Sequence, residues 1–136
     1  MIPRFRAWHK PNKIMLDVIA INFSLMQITA DIETRKIYPE LDYWWKETDI
    51  PFSEIELMQS TGLCDKYGVE IYEGDIVKHH NDILSTVFYS TSHCACLLQD
   101  INGNRNKCQF DKLGNYSSLW IEVIGSIYKN PELLEV

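Results

Sequence analysis

Apolar and polar positions alternate with a period of two along most of this chain, and that period predicts strands. Phe5-Arg6-Ala7-Trp8-His9 alternates in this way, and residues 14–23 continue it after Lys10-Pro11-Asn12-Lys13. Proline presets one dihedral there and asparagine tolerates a tight bend, so residues 5–23 predict a hairpin. Residues 25–30 fit a third strand, and Thr34-Arg35-Lys36 leads into Ile37 and Tyr38. Residues 41–51 are the least regular part. Strands follow at 54–59, 70–72, 75–78, 83–89 and 94–98. Residues 119–128, rich in Ile, Val, Trp and Tyr, predict a central strand inside the fold, bent or bulged at Gly125. Asn102-Gly103 is the strongest short hairpin signal and joins 95–98 to 107–110. Asn130, Pro131 and Glu132 predict one short C-terminal helix, with an N-cap, a proline at the first helical position and an acid in the first turn.

Residues 57–78 are the most patterned stretch. Gly62 ends a strand here, and Asp65-Lys66-Tyr67-Gly68 fits a type I turn with a carboxylate at its first position. Glu73-Gly74 makes a tight turn before Asp75. The spacing of Gly62, Gly68 and Gly74 is regular, but the Gly-Lys-Ser/Thr ending of a phosphate loop is missing. Gly62, Asp65, Gly68, Gly74 and Asp75 therefore read as structural turn residues, of the kind small barrels use to fold back on themselves. The fold class is mainly β. A single domain over 1–136 comprises an N-terminal hairpin and irregular aromatic segment (1–50) and a barrel-like part (51–136).

Composition narrows the function. A chain of 136 residues, 46% hydrophobic and 12% aromatic, has enough apolar side chains for a real core. No apolar run approaches the ~20 residues that span a bilayer, and the first residues lack the apolar region of a secretory signal. The expectation is the cytoplasm, no membrane contact, and reduced thiols at Cys64, Cys94, Cys96 and Cys108. A net charge of -6 argues against general phosphate-backbone binding without excluding a local patch. The acid is concentrated: Glu40, Asp42, Glu47, Asp49, Glu54 and Glu56 stand against Lys46 alone, which reads first as a solvated face.

Candidate chemistry is sparse. Cys94 and Cys96 share one face if they lie on a strand, and Cys108 could face them across the Asn102-Gly103 hairpin. These are the weak metal candidates; small reduced cysteines are the favoured reading. His79-His80 would point to opposite faces and makes a poor chelate. No nucleophile, base and orienting group fall into a recognisable pattern, so neither catalysis nor a cofactor is expected. Tyr43-Trp44-Trp45 places three aromatics side by side. Successive residues of a strand face opposite ways, so both tryptophans cannot enter one core from extended chain. A hydrophobic plug under a long loop is favoured over a surface that covers an edge or meets a partner.

Three segments together resemble the YopX family, small proteins of phages and prophages of Gram-positive bacteria. They are residues 3–8 (Pro3-Arg4-Phe5-Arg6-Ala7-Trp8) with Lys13 and Met15, residues 57–77, and residues 122–134. The chain departs from the family pattern at His9, where an acid is common, at Cys64, often lysine, and at Ser126, often asparagine. Residues 83–118 match no family motif. The resemblance implies a mostly β fold with an SH3-like barrel portion and a homo-oligomer, and it carries over no catalytic residue.

Two functions of different class remain. The leading one is a non-enzymatic phage accessory protein that binds a host or phage protein, and itself, using Trp8, Tyr43, Trp44 and Trp45 with the N-terminal hairpin. The alternative is a nucleic-acid-binding barrel acting in phage DNA metabolism or regulation, because bases stack on exposed aromatics.

Overall fold

The computed structural model of the chain describes residues 3–79, 82–92, 94–101, 110–112 and 121–134. It falls into two units, one up to Met58 and one from Gln59 onward.

The first unit begins with β1 (Phe5–His9), β2 (Ile14–Asn22) and β3 (Gln27–Ala30). A one-turn helix α1 (Thr34–Ile37), strand β4 (Thr48–Pro51) and a 3-10 turn (Phe52–Glu54) lead into β5 (Ile55–Cys64). Neighbouring strands run β4-β3-β2-β1-β5, antiparallel where their registers are defined. The β1–β2 turn closes with the Lys13 amide donating to the His9 carbonyl at 2.8 Å. Ala7, Leu16, Ile28, Ala30, Ile37, Ile50 and Ile55 form the core.

Alternation in β2 is interrupted once, with a consequence for the surface. Val18 pairs with Ala30 and Ala20 with Thr29, so β2 carries one residue more than its partner. That bulge reverses the inward phase. Ile14, Leu16 and Val18 pack inward before it and Ile21 after it, while Ile19 is left exposed.

The second unit contains the end of β5 with β6 (Glu70–Tyr72), β7 (Asp75–His79), β8 (Ile83–Ser90), β9 (Ala95–Asp100), β10 (Phe110–Lys112) and β11 (Glu122–Ser126). Its five-stranded antiparallel sheet runs β10-β9-β8-β7-β11, over a core of Ile71, Val77, Val87, Leu98 and Ile121. The sheet has two ends and does not close on itself among the described residues.

Several expectations need correction. β5 does not stop at Gly62; it runs on to Cys64. Between the pairs Ser60–Tyr72 and Cys64–Glu70 it carries a bulge. Side chains hold that bulge: the Thr61 hydroxyl donates to the Ile71 carbonyl, and the Gly62 amide donates to Ser60 Oγ. β4 arises inside the segment read as irregular. β11 is bulged beside Gly125 as expected, but it is a terminal strand and half-buried rather than central. High apolar content reports burial on at least one face and carries no information about how many neighbours a strand has. β9 and β10 pair antiparallel with Phe110 opposite Gln99 and Lys112 opposite Leu97, a register four residues away from the one a two-residue Asn102-Gly103 turn requires; the turn itself lies outside the described residues. The C-terminal element is a 3-10 turn (Pro131–Leu134). The Asn130 carboxamide oxygen turns back to accept the Ser126 amide at 3.2 Å.

Candidate interaction site

Residues 41–47 cross the first unit as a strap between α1 and β4. Its backbone is tied down at two places, and a side-chain bond fixes the chain just beyond it. The Leu41 amide donates to the Tyr38 carbonyl, and the Thr34 amide donates to the Trp45 carbonyl at 3.0 Å. The Thr34 hydroxyl reaches the same carbonyl at 3.3 Å, and the Thr48 hydroxyl donates to the Ile32 carbonyl at 2.7 Å. The two threonines are buried, and their hydroxyls give the Trp45 carbonyl a second donor and the Ile32 carbonyl, just before α1, a side-chain donor.

The strap's side chains are not buried with its anchors. Tyr43, Trp44 and Trp45 remain 54%, 43% and 64% exposed. The hydrophobic plug favoured from the sequence is therefore not formed. A backbone held flat against α1 leaves no depth beneath it for three large rings. With Tyr38, Lys46, Glu47 and Asp49, these rings line a groove of about 740 Å³. Asp49 accepts the Thr29 hydroxyl at 2.6 Å. Trp8, grouped with the strap aromatics from the sequence, is buried on β1 and offers no surface.

Tyr38 links the groove to a polar cluster that sequence reasoning missed. Its hydroxyl donates to the Glu54 carboxylate, at 3.1 Å and 3.2 Å from the two oxygens. His9 Nε2 lies 2.9 Å from Glu54 Oε1. A carboxylate only accepts, so both neighbours act as donors to it. Burial first, and then the Glu54 carboxylate, push the Tyr38 phenol up to about 12. His9 is buried, and its Nδ1 has no hydrogen-bond partner among the described residues. One signal was present in the sequence. His9 shares a strand face with Ala7, and an imidazole at a core-facing position requires a polar partner. That the partner is Glu54, 45 residues away, is a tertiary fact.

A match to the YopX protein family model covers residues 4–135. The chain belongs to the YopX family. Two solved structures resemble this YopX-family chain along nearly its whole length. Protein EF1440 from Enterococcus faecalis is 28% identical with a TM-score of 0.62, covering 99% of both chains. YopX from Bacillus subtilis is 22% identical with a TM-score of 0.55, covering 98% of this chain and 96% of that one, a likeness of fold. No curated protein matches it.

Gly68 and Gly74 of this YopX-family member sit in turns as expected, whereas Gly62 sits in the bulge of β5. Gly62, Gly68 and Gly74 all have positive φ, at 79°, 81° and 82°. Asp65 is buried, and its Oδ1 accepts the Tyr67 and Val69 amides at 2.9 and 2.8 Å. Asp75 Oδ2 accepts the Tyr72 amide at 2.8 Å.

The cysteines are not arranged as the strand reading required. Cys94 lies in the turn before β9, with φ 50°, and is exposed, so the two-residue alternation does not bring it onto the face of Cys96. Cys96 packs against the second core, and burial, then Glu73, push its thiol up; it behaves as a small apolar side chain. Cys108, His80 and His93 lie outside the described residues. Among the described residues, no group of three His, Cys, Asp or Glu side chains is placed to hold a metal ion.

Proposed function

We propose that this chain is a non-enzymatic phage accessory protein of the host bacterial cytoplasm that works by binding protein, itself included. One observation carries the reading: the first unit keeps a large amount of apolar side chain in water. Ile19, Phe23, Leu25 and Met26 are exposed along the end of β2 and the turn after it, as are the strap rings. Single exposed apolar residues are ordinary, whereas grouped ones mark interfaces. Burying them is worth about 25 cal/mol per Å² of apolar surface. The YopX membership supports the phage setting. No helix among the described residues is long and apolar enough to cross a membrane. The SH3-like character of the second unit belongs to the same reading, supported by its short antiparallel strands and bulged β11.

The nucleic-acid alternative is supported by the exposed rings and opposed by the carboxylates among them. Light scattering on the purified chain tests self-association, and a monomer at tens of micromolar removes it. A gel-shift titration at low salt, with single-stranded and duplex DNA, tests the alternative. Submicromolar, salt-sensitive binding would reverse the ranking.

A further inference from the structure

We infer that the groove under the strap takes a cationic side chain, arginine or lysine, presented by an extended segment of a partner protein. This rests on the protein-binding reading and adds the chemistry of the partner.

The rings are presented rather than merely loose. Trp45 keeps its carbonyl bonded to Thr34 while its indole stays in water, and the chain is fixed again at Thr48. A tied backbone with exposed indoles has already lost the freedom that binding would otherwise remove.

Carboxylates outnumber the one cation around the rings. Glu47 and Asp49 line the groove together with Lys46, and Glu40 and Asp42 add two more carboxylates at the start of the strap. No ion pair to any of these four carboxylates forms among the described residues. The field is felt at the groove wall, where Glu40 as well as Glu54 disfavours ionisation of Tyr38. Aromatic faces carry negative quadrupole, so rings and carboxylates together attract a cation and repel an anion. A purely apolar side chain would cover the rings but desolvate the acids with no partner. Arginine or lysine satisfies both, laying an aliphatic stem on an indole and a charged head among the carboxylates.

The occupant is a segment rather than a lone cation. At about 740 Å³ the groove has room beyond one side chain. It runs beside Thr48 and Asp49 of β4, the terminal strand of its sheet. A terminal strand is an edge along which extended chain can lie.

Isothermal titration with a short peptide of alternating arginine and serine tests this, against the same peptide carrying citrulline and the same carrying glutamate. Saturable binding is expected for the arginine peptide, weakening as salt rises. The citrulline form should bind about tenfold more weakly, given the loss of both cation–π and carboxylate contacts. Trp45→Ala and Glu47→Gln, both at exposed positions, should each lower affinity about two- to fivefold with the circular dichroism spectrum unchanged. Equal binding of the citrulline peptide, undiminished affinity in Trp45→Ala, or no binding at all overturns the inference. The reading beneath it fails separately. An oligomer seen by light scattering with no peptide binding leaves self-association standing and removes only the cationic partner. A monomer that binds the arginine peptide does the reverse.

Discussion

The Val123 amide donates to Asp65 Oδ2 at 3.0 Å, across 58 residues of chain. The same carboxylate accepts the Tyr67 and Val69 amides, so one buried side chain closes a local turn and fastens it to β11. The Lys66 amide adds a parallel tie by donating to the Ile121 carbonyl. Asp65→Ala strands these donors, at about 1–3 kcal/mol for each buried one left without a partner. Urea unfolding should show a large drop in midpoint. Asp65→Asn keeps one oxygen and should fall between; if it matched Asp65→Ala, the two-oxygen account would be wrong.

Gly74 combines a φ of 82° with burial and two backbone bonds: its amide donates to the Val87 carbonyl, and its carbonyl accepts the Ile127 amide at 2.8 Å. A β-branched residue cannot take that dihedral cheaply. Gly74→Val is expected to cost about 1–3 kcal/mol and lower the melting temperature measured by circular dichroism. An unchanged melting temperature together with loss of a partner in a pull-down would make this turn a gripping loop instead.

Gly125 is constrained by a neighbour rather than by its dihedral. A Cβ there would stand 2.5 Å from Asn130 Oδ1, the atom that accepts the Ser126 amide. Gly125→Ala should displace Asn130 and destabilise by about 1–3 kcal/mol, because the Ser126 donor loses its acceptor. On an Asn130→Ala background the same change should cost much less. A double-mutant cycle measures this, and strict additivity would rule the contact out.

Alkaline pH should read out Tyr38. Its phenol holds its proton to about 12 in the folded chain against 10.0 ordinarily, chiefly through burial and then Glu54. A proton bound more tightly in the folded than in the unfolded chain stabilises fully below the unfolded value and is lost as pH rises through the folded one. The Tyr38 contribution is therefore intact below about pH 10 and disappears toward about pH 12. Tyr38→Phe should lose about 1 kcal/mol at neutral pH, and its melting temperature should fall less steeply across that alkaline window. Parallel curves for the two proteins would remove Tyr38 as the titrating group.

The tryptophans should divide by burial. Trp8→Ala opens a cavity in β1 and is expected to cost about 3–5 kcal/mol. Trp44→Ala and Trp45→Ala change exposed rings and should stay within about 0.5 kcal/mol of the parent in thermal denaturation. Large destabilisation by either strap change would mean that the rings support the fold.

What the chain determines on its own is local. Period-two alternation marks β1, β2 and most later strands because a strand's two faces see different solvents wherever it runs. Positive φ at Gly62, Gly68 and Gly74, and the Asp65 turn, follow from steric limits that act within a few residues. Membership of the YopX family was likewise legible from short motifs at both ends and in the middle. What only the tertiary structure decided depends on partners remote in sequence. β11 reads as central because its residues are apolar, but the number of its neighbours is set by which other strands reach it. The bulge at Ile19 cannot be seen in β2 alone, since it exists only relative to the shorter β3. Trp8 and Trp45 are the same residue type in aromatic, patterned surroundings. One is buried in a folded sheet, and the other is held in water because Thr34, eleven residues earlier, pins the carbonyl beneath it. His9 announces its need for a polar partner, and chain closure alone supplies Glu54.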